Sequence, residues 1–161
     1  MFYRLISTSN DRTLAVLRLV LGIVFFAHGA QKMLGWFGGP GFSGTMQLFM
    51  QMGVPAPLAF LAIAAEFFGG LGLLVGFLGR LAALGIMINM LVAIVAVHLP
   101  HGFFMNWTGT KQGEGFEYHL LVLAIGLAVF VKGSGAMSVD HALTQRWSGR
   151  LLRARNERFA A

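Results

Sequence analysis

Four apolar runs, separated by connections rich in glycine and proline, constrain this chain more than any other feature. They cover about Thr13 to Lys32, Pro57 to Gly79, Arg80 to Leu99 and Phe116 to Val131. A helix needs about 20 mostly apolar residues, with about 17 as a lower limit, to cross the hydrocarbon core of a bilayer. The first three runs meet that length. The fourth reaches it when Tyr118 and His119 sit at the membrane surface. Only 11% of the 161 residues are charged, against about 25% in a soluble domain, so little of the chain is made to face water. The expected fold is an all-α bundle of four transmembrane helices. AHGA, near the end of the first run, loosely resembles a signal-peptide cleavage site. That run is longer than a usual signal-peptide core and contains Arg18, so an uncleaved span is expected.

Lysine and arginine orient the bundle. With four spans, both termini and the connection between the second and third runs share one side. That side carries Arg4, Arg12, Arg80, Lys132, Arg146, Arg150, Arg153, Arg155 and Arg158, and the other carries Lys32 and Lys111. The bias places both termini in the cytoplasm, with Trp36 and Trp107 at the outer interface. Residues 1–137 read as the membrane domain and 138–161 as a separate tail. Ser138 is a candidate helix cap there, and Leu143, Trp147, Leu151 and Ala154 follow at helical spacing among arginines. This pattern predicts a basic amphipathic helix on the inner leaflet, each arginine worth about 1 kcal/mol toward anionic lipid. The net charge of +6 is thereby assigned to lipid, and nucleic acid is not an expected partner.

The second run raises the chemical question. Glu66, in AAEFFGGLGLLVG, is the only ionisable residue between Leu58 and Leu78. It lies about 13 Å below the outer surface, counting 1.5 Å per residue from Pro57. It borders a stripe of small residues, Ala62, Ala65, Gly69, Gly72 and Gly76, that lets another helix approach closely. Glu66 is therefore expected to face the bundle interior, with His28 or Arg18 as its partner. His28, Gln31 and Lys32 share a helix face and form a candidate polar wall. Asn89 lies near mid-depth in the third run. His98, His101, Glu117 and His119 gather at the outer mouth. HLPH could bind a metal with Glu117 or His119, but the proline bends the loop and no strong ligand spacing is present, so no metal is expected.

The chain has no cysteine, which excludes disulfides and thiolate chemistry. It also has no phosphate loop, dinucleotide fingerprint or spaced nucleophile–base pair.

RLVLGIVFFAHGAQKMLGWFGG, a GFSGT loop, AEFFGGLGLLVGFLGRLAAL and GFEYHLLVLAIGLAV occur in that order. Together they resemble the DoxX family of small bacterial membrane proteins. The pattern matches His28, Gly29, Lys32, Glu66, Gly69, Gly70, Glu117 and Tyr118. The resemblance implies a four-helix protein of the bacterial inner membrane with both termini inside. It also implies a link to quinone-coupled sulfur oxidation or to complexes handling thiol and oxidative stress.

The resulting expectation is a membrane component of a redox or stress-response system, a small membrane subunit of a quinone-linked oxidoreductase. In it, Glu66 exchanges a proton with a quinone-type headgroup and His28 donates a hydrogen bond. Lys32, Trp36, Glu117, Tyr118 and His119 surround the ligand. The bilayer, a redox protein that supplies electrons, and a second copy of the chain are the partners considered. A non-catalytic adaptor with structural polar groups is the alternative. A proton or solute conduit is disfavoured, because the inner half of the spans has no acid.

Overall fold

Helix boundaries follow the chemistry at the helix ends. Asp11 accepts a hydrogen bond from the Leu14 amide at 3.0 Å and starts the first long helix. Gly35, left-handed at φ 73°, ends it. Pro55 and Pro57 open the second long helix, where a missing N–H costs nothing. The structure is a computed structural model that describes residues 2–148.

Every described element is helical: α1 (Phe2–Ile6), α2 (Arg12–Leu34), α3 (Gly41–Gln51), α4 (Ala56–Val75), α5 (Gly79–Ala93), α6 (Glu117–Lys132) and α7 over 139–148, with short one-turn pieces between. α5 continues through a π turn at Ile94–His98 and a tighter turn at Leu99–His101. Among the described residues, three helices are long and apolar enough to cross a membrane: α2, α4, and α5 with its continuation to His101. α6 has 16 residues, about 24 Å. It completes a four-helix bundle in which α2 packs on α4, α4 on α5, α5 on α6, and α6 back on α2. Leu21, Phe25, Leu73, Ile86, Val122 and Val129 fill its centre.

The α2–α4 crossing is the tightest. A Cβ on Gly29 would strike the backbone of Glu66 and Phe67, and one on Gly70 would strike the backbone of Phe26. Only glycine lets the two backbones touch in this way. The small-residue stripe foreseen on α4 turns elsewhere, toward α5. There Gly69 lies beside Ile86, Gly72 beside Ala82, and Ala65 beside Gly85. The outer side of this contact is an apolar groove of about 520 Å³, lined by residues such as Ala65, Gly69, Gly72, Ala82 and Gly85. It carries no hydrogen-bonding side chain.

Arg18 corrects the expectation that it could be the partner of Glu66. Its side chain is fully buried at the end of the bundle opposite α3. It donates to the carbonyls of Ser134 at 2.7 Å, Leu74 at 2.9 Å and Met137 at 3.2 Å, and also to that of Leu73. Two of these are carbonyls in the last turn of α4, where a cation is favoured. Arg80 does the same for α6 by binding the carbonyls of Phe130 and Val131. Asp140, also buried, accepts from the amides of Leu78 and Gly79 and from Ser134 Oγ. Gly76, left-handed at φ 67°, forms the adjoining turn, and a side chain there would meet Ser138. Ser138 caps α7 by accepting from the His141 amide at 3.1 Å. The start of α7 is thus fastened to the bundle. Leu151 and Ala154, foreseen on its apolar face, lie outside the described residues.

Candidate functional site

One face of α2 is set by Gly22, Phe25, Gly29 and Lys32, spaced three, four and three residues apart. Because Gly29 lets α2 lie directly on α4, the next residue on that face reaches Glu66. Lys32 Nζ pairs with Glu66 Oε2. The other carboxylate oxygen, Oε1, accepts from Asn89 Nδ2 of α5 at 2.8 Å. Glu66 is 4% exposed, whereas the Lys32 side chain keeps 27% of its surface. Thr45 of α3, itself buried, donates to the Lys32 carbonyl at 3.2 Å and to that of Gly41 at 2.8 Å, which holds α3 across this end. On α6, Tyr118 packs its ring against the hydrophobic core. Its hydroxyl is buried and has no hydrogen-bond partner among the described residues. Three helices of the bundle, α2, α4 and α5, therefore each contribute one polar side chain to a single cluster.

The expected pocket of His28, Glu66 and Glu117 does not form; its members occupy three places. Successive residues on a helix are turned by about 100°, so with Gly29 against α4, His28 is exposed on the outer face of α2. There it lines a shallow recess of about 240 Å³ with Ala27, Gln31 and Phe37. The foreseen wall of His28, Gln31 and Lys32 is split accordingly, because Lys32 turns inward with Gly29.

Glu117, the first residue of α6, points into the preceding loop. Its Oε1 accepts from the Met105 amide at 3.0 Å and from Trp107 Nε1 at 3.3 Å. His119 is buried and packs at a tilt of 47° against His98, with ring centres 4.1 Å apart. His98 Nδ1 in turn donates to the Glu114 carbonyl at 2.8 Å. Trp36 is half exposed beside Phe26, which packs on Phe67 at 5.5 Å. Among the described residues, no three histidine, aspartate or glutamate side chains converge to hold a metal ion.

The DoxX family model matches residues 13–99. The chain belongs to the DoxX family. Among curated relatives it is 31% identical to the "Putative oxidoreductase CatD" of Bacillus subtilis (strain 168), over 78% of this chain and 82% of that protein. It is also 31% identical to the inner membrane protein YqjF of Escherichia coli (strain K12), over 86% of this chain and 97% of the relative. A third relative is the uncharacterized membrane protein Rv3486 of Mycobacterium tuberculosis, 30% identical over 89% and 88% of the two chains. No solved structure matches.

The DoxX match contains Arg18, Lys32, Glu66 and Asn89, while Tyr118 and Asp140 lie beyond it. Asn89 was absent from the candidate set. The signal that marked Glu66 also marks Asn89, since it is the one strongly polar side chain between Arg80 and His98.

Proposed function

We propose that this DoxX-family protein is the membrane component of a redox or oxidative-stress system and receives a quinone-type headgroup beside Glu66. One observation carries the reading. Three helices deliver Lys32, Glu66 and Asn89 to one polar cluster, and the fourth carries Tyr118, whose buried hydroxyl has no partner among the described residues. An ionised group placed deep in a membrane costs about 2.5–3.5 kcal/mol on insertion scales and usually marks function. A tyrosine hydroxyl suits a ketone oxygen of the headgroup, and the Lys32–Glu66 pair can hold or give up a proton beside it. Proton transfer requires the groups to come within about 3 Å.

A bound quinone supplies the electron-carrying chemistry. The chain has no cysteine, so the electrons come from a partner protein, and this chain acts as a small subunit. The name of the Bacillus subtilis relative supports the redox assignment. Trp36, on the α2–α4 surface, lines the approach. In the same reading α6 is a fourth span and both termini lie in the cytoplasm, at a bacterial inner membrane. The basic segment from Ser138 onward then rests on the inner leaflet.

The test is to purify the protein in mild detergent and identify the lipophilic molecules that accompany it, comparing wild type with Tyr118→Phe and Glu66→Gln. A quinone held by wild type and lost from the folded variants supports the reading. A second reading, a non-catalytic adaptor, is favoured by the fact that both Glu66 oxygens already have partners. It predicts that no quinone accompanies any of the three forms.

A further inference from the structure

We infer that α1 and α7 form one plate that binds the anionic headgroups of the leaflet at the α4–α5 turn. The inference rests on the reading of the chain as membrane-spanning, and it extends the basic tail to a composite surface that includes the N-terminal helix.

The two helices are far apart in sequence and meet at one spot. Thr144 Oγ1 donates to the Ile6 carbonyl at 2.9 Å. The Trp147 ring lies 6.4 Å from that of Phe2 and 6.2 Å from that of Tyr3. All three rings stay partly open, at 44%, 46% and 37% exposure, while Ile6 is buried beneath them. Trp147 and Tyr3, amphipathic rings in this state, favour the membrane–water boundary.

The charge at this end is one-sided. Arg4, Arg12, Lys132 and Arg146 are exposed. The two described acids at this end are both used internally: Asp11 caps α2, and Asp140 is buried in its three hydrogen bonds. Among the described residues, none of these four cations is in a salt bridge with an acid. A neutral headgroup layer would satisfy the rings and leave the arginines without counter-charge, whereas an anionic layer satisfies both.

The plate is also held in place. Arg18 binds the Ser134 and Met137 carbonyls, and the Asp140 amide donates to the Gly76 carbonyl at 2.9 Å. The segment that leads into α7 is fixed to the α4–α5 turn by these bonds. α7 therefore presents its ring and charge at a set height instead of swinging free.

Quenching by brominated lipid tests this. The full chain carrying Trp36→Phe and Trp107→Phe keeps Trp147 as its one tryptophan. It is placed in phosphatidylcholine bilayers containing phosphatidylglycerol or phosphatidylcholine brominated high on the acyl chains. The expected result is strong quenching, with phosphatidylglycerol preferred over phosphatidylcholine. Arg4→Gln and Arg146→Gln should each lower that preference roughly fivefold without changing helix content. Equal quenching by the two lipids overturns the inference, as does no quenching by either, which would place a protein or water against the plate. Neither outcome depends on whether a quinone binds near Glu66.

Discussion

Lys32 and Glu66, on different helices, form an ion pair where the α2 and α4 backbones touch through Gly29. With Asn89 on the second carboxylate oxygen, the acid is paired and hydrogen-bonded inside the bundle. Pairing of this kind adds little net stability over apolar packing, but removing one partner strands the other.

Lys32→Met should therefore lower stability by about 3 kcal/mol, the low end for a broken buried pair, because part of the lysine reaches the surface. Adding Glu66→Leu should restore more than half of that loss. Thermal unfolding in detergent of both single variants and the double variant gives the coupling directly. Additive losses would show that the pair is not formed.

The glycines should separate by what they face. Gly70→Ala puts a methyl group into the Phe26 backbone, which cannot give way as a side chain can. The expected loss is about 2–3 kcal/mol despite the better helix propensity of alanine. Gly85→Ala places its methyl 3.6 Å from the Ala65 Cβ, an ordinary contact. It should be neutral, or stabilising by up to about 1 kcal/mol. Melting temperatures of the two variants measured side by side check the contrast.

Arg18→Lys should be severely destabilising. The guanidinium serves four carbonyls in three directions, and an ammonium cannot reproduce that fork. A loss of about 3 kcal/mol is expected. Hydrogen exchange should show it first in the amides of Leu78, Gly79 and Asp140, which close the same network.

Glu117→Ala should loosen the loop before α6 and leave the bundle intact. It removes the acceptor of the Met105 amide and the Trp107 indole. Exchange should rise at residues 103–107, with a stability cost of about 1–2 kcal/mol.

Much of this arrangement could be read from composition and spacing, because the bilayer sets a minimum length for an apolar helix. The burial of Glu66 follows from its place beside the small residues of α4. The choice between His28 and Lys32 does not, since both lie within one turn of each other. It depends on which α2 residue meets α4, and that is decided by the backbone contact at Gly29. The Arg18–Asp140 network was hidden for a related reason. Its acceptors are mostly main-chain carbonyls, which every sequence possesses, so nothing in residue identity announces them. Asn89 was visible as the lone strong polar group of its run, yet one amide among apolar residues does not name its partner.

Tyr118→Phe tests the central claim most directly. The Tyr118 hydroxyl has no partner in the described structure, so its removal should leave thermal stability unchanged or slightly raised. Titration of a short-chain quinone into lipid nanodiscs holding wild type should show saturable binding. Tyr118→Phe should weaken it about tenfold, the loss of one hydrogen bond of about 1.4 kcal/mol. Absence of saturable binding to wild type, or equal affinity in the two proteins, would contradict a quinone site between Tyr118 and the Lys32–Glu66–Asn89 cluster.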